Sequence, residues 1–432
     1  MNYTESLAWV YGAKERGARK QGLTNMTELL RRLGNPEAPP PCVHVAGTNG
    51  KGSVCAYLDA MLRAAGYRTG LTTSPYLERF PERIRVDGQE IPEDDFAAMA
   101  TEVRQAADAM VADGLVSPTF FELTTACAFL YFARERVDIA VIETGLGGRT
   151  DATNVVTPEV SVLTAIGMDH MHALGGTLEA IAAEKAGILK PGVPAVLAPS
   201  NDADARAVLL ADAGQKGCPV LDGEKVKIEP LSDSLSGQRF SVQGDGWQMN
   251  ELETTLLGPH QLRNAATALL AAQALRGRGW HLPDDALRRG LAAARWPGRM
   301  EVLRRSPAVL LDGAHNPQGA QVLADAVRRY FPDQPVVLVT AILADKDAEP
   351  MAAAFAQFAS SVLTTQPPML TARELTPPDR LAALFARHGV PAEPCPDWRE
   401  ALDRALASEC VVVIAGSLYL AGAVRGYVLS RV

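Results

Sequence analysis

The sequence predicts an α/β protein: a doubly wound, mostly parallel sheet, an added small β-sheet, and a second, smaller α/β domain. Three observations carry this. Short apolar runs alternate with longer helical patterns along most of the chain. Most runs are β-branched or Leu-rich on both faces, as strands must be when helices cover both sides of a parallel sheet. The break Arg295-Trp296-Pro297-Gly298-Arg299 then interrupts the alternation, and a fresh one follows.

The predicted strands are, in order, Cys42–Ala46, 68–73, 138–142, 160–166, 195–198, Ala308–Leu311, Val336–Thr340 and Val411–Ala415. Helical patterns fill the intervals at 54–65, 96–110, 123–134, 284–294 and 319–330. From about 220 to 257 the pattern changes: Arg239-Phe240-Ser241-Val242-Gln243, Gly244-Asp245-Gly246 and Trp247-Gln248-Met249 alternate around a Gly-rich turn. That is the signature of a β-hairpin attached to the main domain. The Pro-Gly break divides the chain into domains 1–295 and 296–432.

Composition sets limits on partners. Of 432 residues, 47% are hydrophobic and 21% charged, which excludes disorder as the main state. Lys plus Arg is 42 against 50 Asp plus Glu, a net charge of −8. That argues against a nucleic-acid or anionic-membrane binder and leaves room for a local basic site. The six cysteines form no CxxC pair and no Cys/His cluster, so reduced thiols in a cytoplasm are expected. No leader pattern opens the chain, and no apolar run approaches the ~20 residues that span a bilayer.

The chemistry gathers at strand ends. The first strand runs into Gly47-Thr48-Asn49-Gly50-Lys51-Gly52-Ser53 and then a helix. Strand, glycine turn, Lys and helix is the build of a phosphate loop: N–H groups converge on phosphate oxygens and Lys51 neutralises them. The usual spacing is not met, since Val45 stands where the first Gly belongs and Gly52 separates Lys51 from Ser53; the alternative is an ordinary glycine turn. The strand 138–142 ends in Glu143, before Thr144-Gly145-Leu146-Gly147-Gly148-Arg149. A carboxylate there holds Mg²⁺ on nucleotide phosphates or caps the next turn. The strand 160–166 leads to Gly167-Met168-Asp169-His170, where the His170 imidazole ligates a metal or makes a structural hydrogen bond, and Asp169 orients the ring. Lys185 and Lys190 end a helix, where lysines by default complement its dipole. In the second domain polar loops follow two strands, at Asp312-Gly313-Ala314-His315-Asn316-Pro317 and Asp345-Lys346-Asp347. A nucleotide in one domain and a second substrate in a cleft between the two is the expected arrangement.

The motifs HVAGTNGKGS (44–53), TSP (73–75), ERI (82–84), ETGLGGRTDATN (143–154), GMDH (167–170) and EKAGILK (184–190) together resemble the Mur-ligase superfamily, and within it the folylpolyglutamate synthase and dihydrofolate synthase branch. GPHQLRNAATAL (258–269), WPGRMEV (296–302), LDGAHNP (311–317), ADKD (344–347) and GSLYLAG (416–422) carry the resemblance to the end of the chain. It implies a P-loop ATPase domain followed by a Rossmann-like C-terminal domain. It implies an ATP-dependent ligase that phosphorylates the carboxylate of dihydropteroate or a folate, then joins the acyl phosphate to the amine of L-glutamate. Making dihydrofolate and extending folates are both expected, on Asp151, Phe121 and a length like that of bacterial members.

Residue by residue, the resemblance implies that Gly47, Thr48, Asn49, Gly50, Lys51, Gly52 and Ser53 bind ATP, with Asn264, Arg299, Asp312 and His315 adding contacts. Ser74, Glu143 and His170 would be Mg²⁺ ligands, shared by two metal sites. Lys51, Glu143, His170 and Lys185 form the catalytic set, and Lys185 matches a lysine that relatives carbamylate. Thr119, Phe121, Asp151 and Ala152 would line the pterin pocket. Closure of the domains about 295–299 would shield the acyl phosphate from water. The partners implied are small molecules and the chain a monomer. Three departures stand beside the motifs: Tyr76 where His is frequent, Thr150 where Leu is commoner, and Ala341 where Gly is frequent. The rivals are a folylpolyglutamate synthase alone, a ligase of UDP-linked acids from the same superfamily, and, in another class, a P-loop switch that uses ATP conformationally.

Overall fold

The computed structural model of the chain describes residues 1–35, 40–169, 174–199, 201–368 and 373–431. Two compact units make it up, Met1–Ile228 with Val242–Leu252 and Arg263–Ala294, and Glu229–Ser241 with Glu253–Leu262 and Arg295–Val432. Among the described residues no helix is long and apolar enough to cross a membrane.

The first unit is built on eight strands: β1 (Cys42–Ala46), β2 (Thr69–Thr72), β3 (Ile84–Val86), β4 (Gln89–Glu90), β5 (Ile139–Glu143), β6 (Val160–Leu163), β7 (Ala195–Leu197) and β8 (Val220–Asp222). Their order is β4-β3-β2-β5-β1-β6-β7-β8. The six strands from β2 to β8 in that order run parallel, while β3 and β4 add an antiparallel edge. β1 and β5 are buried along their whole length, which is why they read as unbroken apolar runs. From β1 the chain crosses to β2 on one side, and after β5 it passes β1 to reach β6 on the other. The order therefore reverses at β1, and open sheets bind ligands outside the strand ends at such a point.

Three further strands, β9 (Lys227–Ser234), β10 (Gly237–Gly244) and β11 (Trp247–Thr254), form a sheet in the order β11-β10-β9. Two-residue connections join them, which only antiparallel neighbours allow. Phe240 and Val242 are the buried face of the middle strand.

The second unit carries β12 (Glu301–Arg305), β13 (Ala308–Leu311), β14 (Val336–Thr340), β15 (Ser361–Thr364), β16 (Ala392–Pro394) and β17 (Val411–Ala415), ordered β12-β13-β17-β14-β15-β16. β12 is antiparallel to β13 and the rest are parallel. With β17 inserted between β13 and β14, this sheet has a switch point of its own.

The hairpin expected at 220–257 is larger and differently bounded. Val220–Asp222 joins the main sheet beside β7, and a three-stranded sheet replaces the hairpin. β3 (Ile84-Arg85-Val86), β4 (Gln89-Glu90) and β16 (Ala392-Glu393-Pro394) escaped the apolar-run criterion because polar residues occupy them, β15 because Ser361 and Thr364 leave only two apolar residues between them, and β12 because its Glu301-Val302-Leu303-Arg304-Arg305 is charged and only partly buried.

Candidate active site

The glycine loop leaves β1 and enters the helix Lys51–Ala64. Gly50 starts that helix at φ 88°, a conformation that costs a residue with a Cβ, and a Cβ there would meet Asn264 Oδ1 at 2.5 Å. Asn264, from the helix Pro259–Gly277, is thereby packed on the loop. Thr48 and Asn49 donate their backbone N–H to the Ala165 carbonyl, at 2.9 and 3.2 Å. The Thr48 hydroxyl pairs reciprocally with the backbone of Gly167, at 3.0 and 3.1 Å. These bonds shape the loop, so the N–H groups at the start of the helix, which have no partner within it, are the ones placed to meet an anion. Lys51 Nζ donates to the Gly47 and Thr48 carbonyls, at 3.1 and 3.2 Å, and Ser53 is buried.

Register brings the acid to this loop. Glu143 pairs with Val45 at the end of β1, which sets its carboxylate 4.0 Å from Lys51 Nζ. Glu143 is 5% exposed. Its other oxygen accepts from the backbone N–H of Ser74 at 2.9 Å, so Ser74 and the carboxylate are neighbours. Two oxygen donors of this hardness, one of them anionic, suit Mg²⁺. Ser74 and Glu143 share the lining of a small pocket with Thr125, Arg83 and Phe121. His170, expected as a third metal ligand, lies outside the described residues. Among the described residues no group of three or more His, Cys, Asp or Glu forms a metal cluster.

The turn after Glu143 is held from below. Asp151, 2% exposed, accepts from the N–H groups of Gly145 and Leu146 with one oxygen (2.9 and 2.8 Å) and from Thr153 N and Oγ1 with the other (3.0 and 2.6 Å). A carboxylate has about four acceptor positions, and here the protein's own groups occupy them. Burial raises the Asp151 pKa while these bonds oppose the rise. Phe121 packs on the same turn, since a Cβ on Gly145 would lie 2.5 Å from its ring. Thr119 caps the helix Phe120–Arg134 in a reciprocal bond with Glu122, and Ala152 is buried in the short helix that Asp151 caps.

The segment 184–190 locks against this turn, backbone to backbone. Arg149 N donates to the Glu184 carbonyl at 2.9 Å, and Asn154 Nδ2 bridges the carbonyls of Arg149 and Gly187, each at 3.0 Å. Lys190 Nζ donates to the Asn154 carbonyl at 2.8 Å. A Cβ on Gly187 would stand 2.3 Å from Arg149 Cα, with only main chain to give way. Gly187→Ala is therefore expected to cost about 2–3 kcal/mol of stability and to displace the turn after Glu143. Urea unfolding beside a turnover assay checks this, and a wild-type midpoint would contradict it.

The same segment delivers Lys185, which is 5% exposed and donates from Nζ to the Gly47 carbonyl at 2.7 Å. Lys51 donates to that carbonyl too. Burial first, and then the Lys51 charge, lower the Lys185 pKa to about 7, with Asp169 and Asp151 partly opposing. A buried amine that titrates near neutral pH thus sits beside the loop, not a surface lysine complementing a dipole.

The second unit gathers its expected residues at the end of β13. Asp312, 7% exposed, accepts from Met300 N (2.8 Å) and Ala314 N (2.7 Å), and burial raises its pKa against the nearby Arg299 charge. Arg299 Nη1 would lie 2.3 Å from a Cβ on Gly313, and His315 Nδ1 bonds the Gly313 carbonyl at 2.8 Å. Arg299, Asp312 and His315 therefore form one constellation.

Comparison with known proteins places the chain in a family. The model of the Mur ligase middle domain matches residues 45–272, and that of the Mur ligase glutamate ligase domain matches 298–418. The chain belongs to the Mur ligase family. It is similar to the dihydrofolate synthase/folylpolyglutamate synthase of Bacillus subtilis (strain 168), with 41% identity over 352 residues and 81% of each chain covered. The folylpolyglutamate synthase of Lacticaseibacillus casei is 39% identical over 433 residues, 98% of each chain. Among solved structures, the Mycobacterium tuberculosis folylpolyglutamate synthase complexed with ADP superposes with a TM-score of 0.91 at 33% identity, covering 99% of each chain.

Two side chains at this Mur-ligase site had no role in the sequence reading. His44, wholly buried on β1, meets Thr153 Oγ1 at 2.8 Å and so backs the Asp151 support; burial lowers its pKa to about 3 and keeps it neutral. Arg83 lines the pocket beside Ser74 and Glu143. Its place in the ERI string was the one available signal.

Proposed function

We propose that this Mur-family ligase adds L-glutamate, with ATP and Mg²⁺, to dihydropteroate and to folates, as a cytoplasmic monomer. Residues 1–295 serve as the ATP-binding domain and 296–432 as the glutamate-ligase domain. One observation carries the reading: Glu143, which accepts from the Ser74 N–H, sets its carboxylate 4.0 Å from Lys51 Nζ and shares the lining of a small pocket with Phe121. Such a juxtaposition suits a substrate that puts a carboxylate at the phosphates and an aromatic body against a ring.

In the proposed reaction an oxygen of the acceptor carboxylate attacks the γ-phosphorus of ATP, and ADP leaves. The glutamate amine then attacks the acyl carbon, losing a proton, and inorganic phosphate leaves. The N–H groups that open the helix Lys51–Ala64 hold the phosphates, and Lys51 offsets the charge that develops during transfer. Glu143, Ser74 and His170 would hold Mg²⁺, which when bound neutralises the phosphate oxygens. Lys185 is proposed to add through Nζ to the carbon of CO₂, with release of a proton, so that its carbamate oxygens complete a second Mg²⁺ site. Thr119, Phe121 and Ala152 are assigned to the pterin, with Asp151 setting the turn they border. Asn264, Arg299, Asp312 and His315 are assigned to the nucleotide and the transferred phosphate.

Purified protein with ATP, Mg²⁺ and glutamate, offered dihydropteroate and tetrahydrofolate separately, tests this. Glutamate-dependent ADP release is expected with both. Product from tetrahydrofolate alone would reduce the activity to polyglutamylation, and ATP hydrolysis indifferent to glutamate would point to a conformational switch.

A further inference from the structure

Arg83 is 9% exposed, a depth at which arginines are rare without a task. Its guanidinium carbon lies 5.1 Å from the ring centre of Tyr76, 5.3 Å from that of Phe120 and 5.7 Å from that of Phe80. Three rings thus surround the delocalised charge and fix its plane. The cage is itself braced. Tyr11 stacks on Phe120 at 5.1 Å and 27°, and its hydroxyl bonds that of Tyr76 at 2.8 Å. The segment between Ser74 and Arg83 keeps its shape through another residue: the Glu82 carboxylate accepts from the N–H groups of Leu77 (2.9 Å), Glu78 (2.8 Å) and Arg79 (2.7 Å).

Register then places Arg83 beside Ser74. Thr72 pairs with Ile84 across β2 and β3, and Thr73 N donates to the Arg83 carbonyl at 3.1 Å, so Arg83 stands across from the residue before Ser74. Arg83 lines the pocket together with Ser74, Glu143 and Phe121. A substrate lying against Phe121 and reaching towards Glu143 passes the guanidinium. Its carboxylate must approach an anionic triphosphate beside an anionic side chain, and needs a cation of its own. A planar guanidinium offers two parallel N–H donors to a carboxylate, a match an ammonium lacks.

We propose that Arg83, held in the Tyr76–Phe80–Phe120 cage, binds the acceptor's reacting carboxylate and aims it at the phosphate. This deepens the ligase reading and rests on it. Tyr76 belongs to the device: its ring carries the guanidinium, and its hydroxyl ties the cage to the N-terminal helix Tyr3–Tyr11.

The test compares dihydropteroate with its carboxamide, which keeps the shape and loses the charge. Their Kd values are measured on wild type, Arg83→Gln, Arg83→Lys and Tyr76→Leu, alongside turnover, the KM for ATP and circular dichroism. Wild type is expected to favour the acid over the amide by at least about 30-fold. Arg83→Gln is expected to bring that preference near unity with the KM for ATP unchanged, and Arg83→Lys to keep only part of it. Tyr76→Leu, which leaves the charge in place but unsupported, is expected to lower it about tenfold or less, and carries the test should Arg83→Gln not fold. Acid and amide weakening together, with the preference intact, would show a structural arginine and overturn the proposal while wild-type turnover left the ligase reading standing. A wild type that neither turns over nor distinguishes acid from amide would remove both.

Discussion

Lys51→Ala is expected to lower glutamate-dependent ADP release about a thousandfold, a loss of the size that follows removal of one donor to a developing charge. Two local effects add to the lost cation. Lys51 Nζ bonds the Gly47 and Thr48 carbonyls, so its removal also frees the loop it closes. It is also the cation 4.0 Å from Glu143 at the end of β5, and without it that carboxylate repels incoming phosphates. The loss should therefore appear in kcat and in the KM for ATP together. Glu143→Ala should match it in kcat and in addition shift the Mg²⁺ dependence of turnover upward, because Glu143 is the anionic Mg²⁺ ligand proposed beside Ser74. Stopped-time ADP assays across ATP and Mg²⁺ concentrations separate the two, with circular dichroism confirming the fold. Turnover within tenfold of wild type in Lys51→Ala would remove Lys51 from the phosphate-binding role.

What sequence could and could not reveal follows from how each feature is encoded. β1, β5, β13, β14 and β17 are buried on both faces and write themselves as continuous apolar runs. The glycines, Lys51 and Glu143 were legible because each stands directly after such a run, where an open sheet binds its ligands. Lys185 was not legible from local pattern. A lysine at a helix end reads as a surface residue, and its burial depends on Arg149 N, Asn154 Nδ2 and a missing Cβ at Gly187, contacts that only the fold assembles. Resemblance supplied its importance, and geometry supplies the reason. Asp151 is a second case: resemblance assigned it to the pterin, and the fold adds that its oxygens hold Gly145, Leu146 and Thr153. Arg83 was invisible as a binding group because Phe120, on the helix Phe120–Arg134, joins Tyr76 and Phe80 around it only in the fold.

Lys185→Ala is expected to cost roughly a hundredfold in kcat, and its wild-type function to depend on dissolved CO₂. The direction of the pH effect follows from the site. The folded-state pKa is lowered from 10.5 to about 7, by burial first and by Lys51 second. The side chain therefore takes up a proton only as pH falls through about 7, and above that it is a neutral amine able to attack CO₂. Below about pH 7 the two lysines that share the Gly47 carbonyl are both ammonium groups and repel one another; a carbamate on Lys185 would turn that repulsion into attraction and give the site an anionic oxygen donor. Protein held at mildly acidic pH in CO₂-free buffer should lose at least about tenfold in activity, regain it on addition of bicarbonate at about pH 8, and regain little at about pH 6. Carbon-13 bicarbonate should give a carbamate resonance in wild type that Lys185→Arg lacks, since a guanidinium stays protonated at any working pH. Short carboxylic acids, which can occupy the vacated space with an oxygen anion, should partly restore Lys185→Ala. A decarbonated enzyme that keeps full activity, or a carbamate resonance that survives in Lys185→Arg, would assign the residue to holding the loop through Gly47 alone.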